Sequence, residues 1–353
     1  MSTRREFLST TFLAAVAVPG LFDNPYAVGM SARDEQAVGR GDDDQYRFPF
    51  NPEGPFDVRL RPKTGHVDYW RQTVFMQSFD RFGEPKFIRH IDGYARKEEF
   101  VKEGSPELWH RVTWKWSTEE DRDASGKVLR AELFPFSRNF SHEAPVNQPG
   151  GTEPVSEKEK TSLPDTPQAF SFLQQPADLH YMFSLVSDQW TGIEKLKRLG
   201  DTVNAVEHPT AYPSDESFPP KHGLGSTSGV DYWRGAHRLK LILGGLTTID
   251  GEWCALIEFD SDVPERLTIP MEDHTEYRRL HAYTMGTIAI SLENNHVARC
   301  AWNHIIVDGS VEPPPGPGFT DAAPGVRFWR RQVLLKRVSK QEFESAAPSI
   351  SSQ

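Results

Sequence analysis

Only two cysteines, Cys254 and Cys300, occur in 353 residues. That excludes a disulfide-dense scaffold, and with no C-x-x-C pair there is neither a zinc knuckle nor a c-type haem attachment. No run approaches the ~18 consecutive apolar residues of a spanning helix, so no stable membrane span is expected. Cations are in deficit: 40 Lys and Arg face 50 Asp and Glu, a net charge of −10 at pH 7. Such a balance argues against a phosphate backbone as main partner, and no nucleic acid is expected. No G-x-S-x-G elbow, Walker loop or dinucleotide fingerprint occurs, and no cofactor is expected.

What the sequence does have is alternation. Ala236–Leu243 sets Leu239, Leu241 and Leu243 against Arg238 and Lys240. Glu252–Asp260 sets Trp253, Ala255, Ile257 and Phe259 against Glu252, Glu258 and Asp260. Gly286–Leu292 and His296–Val307 continue the series. Earlier in the chain Arg71–Phe79, Lys86–Tyr94, His110–Trp116 and Val128–Phe136 read as strands, with Val112, Trp114 and Trp116 expected on one face. A period of two means one buried and one wetter face, as in an antiparallel sheet. The predicted fold is mainly β: a strongly curved antiparallel sheet, sheets or half-barrel, with a few short helices. Val67–Arg71 (VDYWR) recurs unchanged as Val230–Arg234 and in degenerate form as Val326–Arg330. The echo is consistent with a duplicated β half; on a strand it would send Tyr to one face and Trp to the other.

Proline and glycine divide the chain. Residues 137–168 read as a linker between a first β half, 66–136, and a helix plus second β half, 169–347. Residues 30–65 read as an extended N-terminal arm. The best helix runs from Asp178, an N-cap after Pro176, to Trp190, with Leu179, Met182, Phe183, Val186 and Trp190 on one stripe. Ser339–Glu342 is a capping box opening a short terminal helix.

At the N-terminus, Thr3-Arg4-Arg5-Glu6-Phe7-Leu8 precedes the weakly apolar run Phe12–Val18. Arg4, Arg5, Phe7 and Leu8 fall where the twin-arginine export signal carries its Arg pair and Phe-Leu, and residues 1–29 resemble such a signal peptide. The resemblance implies a periplasmic or secreted protein, exported folded, with the twin-arginine translocase as a partner during export.

Candidate sites are few. Cys254 and Cys300 lie on strands read as neighbours, so they form either a cross-strand disulfide or two buried thiols. His274 and Glu276 would share a strand face, and with His281, His296 and His304 they form a candidate metal set. Strand acids such as Glu132, Glu252, Glu258 and Asp260 could supply a carboxylate pair for glycan hydrolysis.

Asp250–Leu256, a turn into a strand, and Gly286–Leu292 leading to Val297–Arg299 have a rhythm similar to the LolA/LppX-like periplasmic half-barrel carriers. That resemblance implies a curved sheet with helices closing its concave face, Asp178–Trp190 among them, and lipid as cargo. The expected function is an exported, non-catalytic β protein binding an apolar or amphipathic ligand, a lipid or a polysaccharide. The alternatives are an exported glycan- or metal-dependent hydrolase and a surface interaction module.

Overall fold

In a computed structural model, residues 51–79, 83–134, 141–146, 167–187, 191–207, 210–212, 231–270, 275–311 and 324–348 are described. Thirteen strands make one antiparallel sheet: β1 (Val67–Phe79), β2 (Pro85–Val101), β3 (Leu108–Asp123), β4 (Val128–Leu133), β5 (Ser141–Pro145), β6 (Thr202–Glu207), β7 (Thr210–Tyr212), β8 (Asp231–Arg234), β9 (His237–Ile249), β10 (Glu252–Pro270), β11 (Thr275–Ser291), β12 (Val297–Val311) and β13 (Pro324–Val338). Their order is β4-β3-β2-β1-β13-β12-β11-β10-β8-β7, with β5 also on β3, β9 also on β10, and β6 on β9. The two ends do not pair with each other among the described residues, so the sheet is open. The β halves expected on either side of 137–168 are therefore hydrogen-bonded together through β1 and β13, inside one compact unit, Glu53–Gln353. The signal peptide, most of the arm and most of the linker lie outside the described residues.

Strands run longer than their apolar cores. β11 opens at Thr275, inside a charged stretch well before the apolar alternation of Gly286–Leu292. Its polar residues are accommodated by cross-strand partners such as Asp308, whose carboxylate accepts from Arg278. The helix is also longer. α1 (Pro167–Ser187) passes through Pro176, which therefore does not stop it, and places Asp178 in its interior rather than at its cap. Proline there removes one backbone donor without ending a helix held by packing on its flanks. α2 (Lys340–Ser345) is capped as expected, the Ser339 hydroxyl accepting from the Glu342 amide at 3.0 Å.

Among the described residues, α1 is the helix on the concave side. Phe172 of α1 meets Trp114 of β3 at 5.3 Å between ring centroids, and Tyr181 meets Phe259 of β10 at 6.3 Å. In a flat sheet β3 and β10 would stand about 29 Å apart, at about 4.8 Å per strand. Nine helical residues span only about 13 Å. The sheet must curl around α1 to make both contacts. Phe172, Leu179, Met182, Phe183, Leu185 and Val186 are all buried, as for a helix enclosed on most sides. Phe56, Val58 and Leu60 are buried as well, and the Leu60 amide donates to the Val186 carbonyl at 3.1 Å.

The VDYWR segment of β1 does bridge two layers. Trp70 points inward onto Phe183, at 5.5 Å, and Tyr69 points outward onto Phe343 of α2, at 4.8 Å. The face of Trp116 differs from the expectation. A bulge opposite Tyr94/Ala95 inserts Lys115, so Trp114 stays inward while Trp116 turns outward against Tyr94.

Gly286 shows how closely β11 and β12 approach within the sheet. A Cβ there would lie 2.3 Å from the Ala301 carbonyl oxygen and 2.5 Å from Trp302 Cβ, whereas one at Gly245 would meet nothing within 4 Å. Gly286→Ala should lower stability by about 1–3 kcal/mol. Gly245→Ala should stay within about 0.5 kcal/mol of the parent. Urea unfolding midpoints of the two variants check this.

Candidate ligand-binding site

The registers connect across the sheet into rows of facing residues. One row runs Arg130, Asp121, Arg89, Met76, Arg331, His304, Thr284, Ser261, Leu239. The next runs Glu119, Ile91, Val74, Val333, Trp302, Gly286, Phe259, Leu241. Both look onto α1: Asp178 reaches Arg331 of the first row, and the Tyr181 ring meets Phe259 and Trp302 of the second. A polar row thus borders an apolar one on the concave face.

At the middle of the polar row, Arg331 donates from Nη1 and Nη2 to the two oxygens of Asp178, each at 2.5 Å. Gln72 Nε2 donates to Asp178 Oδ2 at 2.7 Å. Asp178 is 6% exposed and Arg331 8%. Burial pushes the Asp178 carboxyl up, opposed by the Arg331 charge and its hydrogen bonds. His304 is pushed down to about 4 by burial and then by the neighbouring guanidinium, so the ring is neutral at pH 7. Burial also pushes the Cys300 thiol up, leaving it protonated and inert. Toward β4, Arg89 and Arg130 are neutralised by Asp121 and Glu119 from the sheet itself.

The far end of the same face carries a second charged chain. Asp68 accepts from His66 Nε2 at 3.0 Å and from Arg337 Nε at 2.8 Å. Burial would raise its carboxyl, but the His66 hydrogen bond and the Lys97, His66 and Arg337 charges outweigh it and hold the group at about 2.

The candidate metal residues do not converge. His274 and the side chain of Glu276 lie outside the described residues. His281 is on the convex face, stacked on Tyr283 at 4.3 Å and 3.4 Å from Asp262, whereas His304 is on the concave face. Odd and even positions of β11 point to opposite sides, so these two rings cannot share an ion. His296 stands eight residues before His304, about 26 Å along a strand. Its Nε2 already accepts from Arg337 Nη1 at 3.0 Å. Among the described residues no three His, Cys, Asp or Glu gather as a metal set.

Of the two alternatives for the cysteines, the structure shows buried thiols and not a cross-strand disulfide. Both thiols are free. β11 lies between β10 and β12, so the strands are not neighbours. Cys254 pairs with Ser291 and Cys300 with Ile288, an odd and an even position of β11, which puts the sulfurs on opposite faces. Of the strand acids, Glu132 is paired with Arg130, and Glu252 lies 3.3 Å from His296 at the far end. By sequence alone Asp178 reads as a helix cap, and Arg331 and Gln72 take no role at a site. The available signal was parity: Arg331 falls between Trp329 and Val333, and Gln72 between Trp70 and Val74, polar side chains at apolar places.

The geometry defines an open, curved antiparallel sheet wrapped on one helix, with a buried carboxylate–guanidinium pair at the helix–sheet seam. No protein-family model and no curated protein sequence matches the chain. Similarity to solved structures is slight. A Bacteroides fragilis protein described as exported, with a YmcC-like fold, is 10% identical over 80% of this chain and 100% of its own, at a TM-score of 0.16. Salmonella typhi OmpF in complex with daunomycin is 8% identical over 78% and 99%, at 0.23. A loop-deletion mutant of Vibrio cholerae OmpT is 10% identical over 77% and 100%, at 0.16. At such scores these likenesses assign neither fold nor function.

The sign of the His304 shift gives a pH dependence. Its folded value of about 4 lies below the ~6.5 of an unfolded histidine. Between those values the unfolded chain takes up a proton that the folded chain refuses, so stability is lost as pH falls from about 6.5 to 4. His304→Asn should make stability less steep in pH across that window, by up to about one proton in urea titrations. An unaltered slope would show that the ring is not held neutral.

Proposed function

We propose that the chain is an exported β protein that holds an apolar or amphipathic ligand against the concave face of its sheet. The observation that carries this reading is the lining of that face. A row rich in polar groups, with Arg331, His304, Thr284 and Ser261, runs directly beside a row of Val74, Val333, Trp302 and Phe259. An amphipathic molecule needs such a border, one side to bury its chain and the other to satisfy its head. Among the described residues α1 is the helix that covers this border. A helix across the concavity is also what the resemblance to LolA/LppX-like carriers leads one to expect.

Export rests on Thr3–Leu8, through the twin-arginine translocase. Delivery to the periplasm or beyond would bring the folded protein to a compartment where lipids and glycolipids need a carrier. Of the candidate acids and histidines, Glu132 is paired with Arg130, Glu252 lies against His296, and His281 and His304 stand on opposite faces of the sheet, which favours binding over hydrolysis.

The reading is tested by titrating the purified protein with 11-(dansylamino)undecanoic acid and, separately, with the methyl ester of that probe. Saturable binding of one molecule per chain, with emission shifted to the blue, is expected for at least one probe. Emission rising without saturation for both would overturn it.

A further inference from the structure

Resting on the concave-face reading, we propose that Arg331 and Gln72 form the anchoring site for the acidic head of an amphipathic ligand, and that Asp178 is an internal carboxylate occupying that site until such a head replaces it. The site is already built for a carboxylate. Two guanidinium nitrogens and one amide nitrogen converge on the Asp178 oxygens at 2.5, 2.5 and 2.7 Å. Bidentate guanidinium with a further donor is how a buried carboxylate or phosphate is recognised.

What sets Arg331 apart is where its counter-charge comes from. Arg89, Lys97, Arg278 and Arg337 find their carboxylates on the sheet, in Asp121, Glu99, Asp308 and Asp68. Among these concave-face cations, Arg331 is held by a residue of the helix. Its facing residues on the strands, Met76 and neutral His304, bring no charge. If the helix withdraws, the sheet keeps a bare cation beside an apolar row.

The seam is also imperfectly satisfied. Gln72 Oε1, Trp70 Nε1 and Gln175 Nε2 are buried at the helix–sheet contact and make no hydrogen bond there. Buried polar atoms without partners weaken an interface, so this one is easier to exchange than a fully paired one. Pro176, two residues before Asp178, has no amide hydrogen to complete the helix ladder. These features let Asp178 give up its place to an incoming carboxylate of the same geometry.

The test uses the dansyl acid and its neutral methyl ester on the full chain. Asp178→Asn, which removes the competing charge, should bind the acid about tenfold more tightly and the ester unchanged. The double variant Asp178→Leu with Arg331→Met replaces the pair by apolar side chains of similar size, which buried pairs usually tolerate. It should bind the ester like the parent and the acid at least tenfold more weakly. Thermal unfolding of each variant confirms that it is folded. If the double variant binds both probes like the parent, or loses both equally, the anchor is overturned and the concave-face reading survives. If the parent binds neither probe, both fall together.

Discussion

A wide antiparallel sheet with one apolar face has to bury that face, and among the described residues α1 meets most of the demand. β3 and β10 both touch α1 although six strand intervals separate them, and only curvature allows it. The curl then determines much else. It brings side chains from distant strands into one enclosed layer. It also traps polar groups of the sheet beneath the helix.

The trapped groups explain why the middle of the concave face is not simply greasy. A buried ion pair is a poor means of stabilisation, because desolvation of both charges offsets most of their attraction, and an apolar pair of similar volume often serves as well. The Asp178–Arg331 contact therefore calls for a reason other than holding the helix down. Recognition of an acidic group supplies one. His304 and Cys300, both held neutral nearby, add no charge that would compete with Asp178 for the guanidinium.

Much of the fold was legible because alternation is a local property. Leu239, Leu241, Leu243, Ala255, Ile257 and Phe259 are buried on the face their spacing assigns. Legibility failed where one residue changes the register. Lys115 sends Trp116 to the convex side, and no pattern within His110–Trp116 announces it. Pro176 followed by Asp178 spells a helix start, so the pattern shows only the later turns of α1, although packing of Phe172 on Trp114 and Phe134 carries the helix through the proline. The site was harder still. Asp178 reads as a cap, Gln72 and Arg331 lie 259 positions apart, and only the β1–β13 pairing and the crossing of α1 bring them together. Polar residues at apolar parity were the one local hint, and parity alone cannot identify their partner.

Hydrogen exchange of the α1 amides tests the central claim most directly, measured with and without saturating dodecanoate. If the acid takes the place of Asp178, amides after Pro176 should exchange faster in its presence, while those of β1 and β13 keep their protection. Binding of dodecanoate with unchanged or slower exchange throughout α1 would contradict the account.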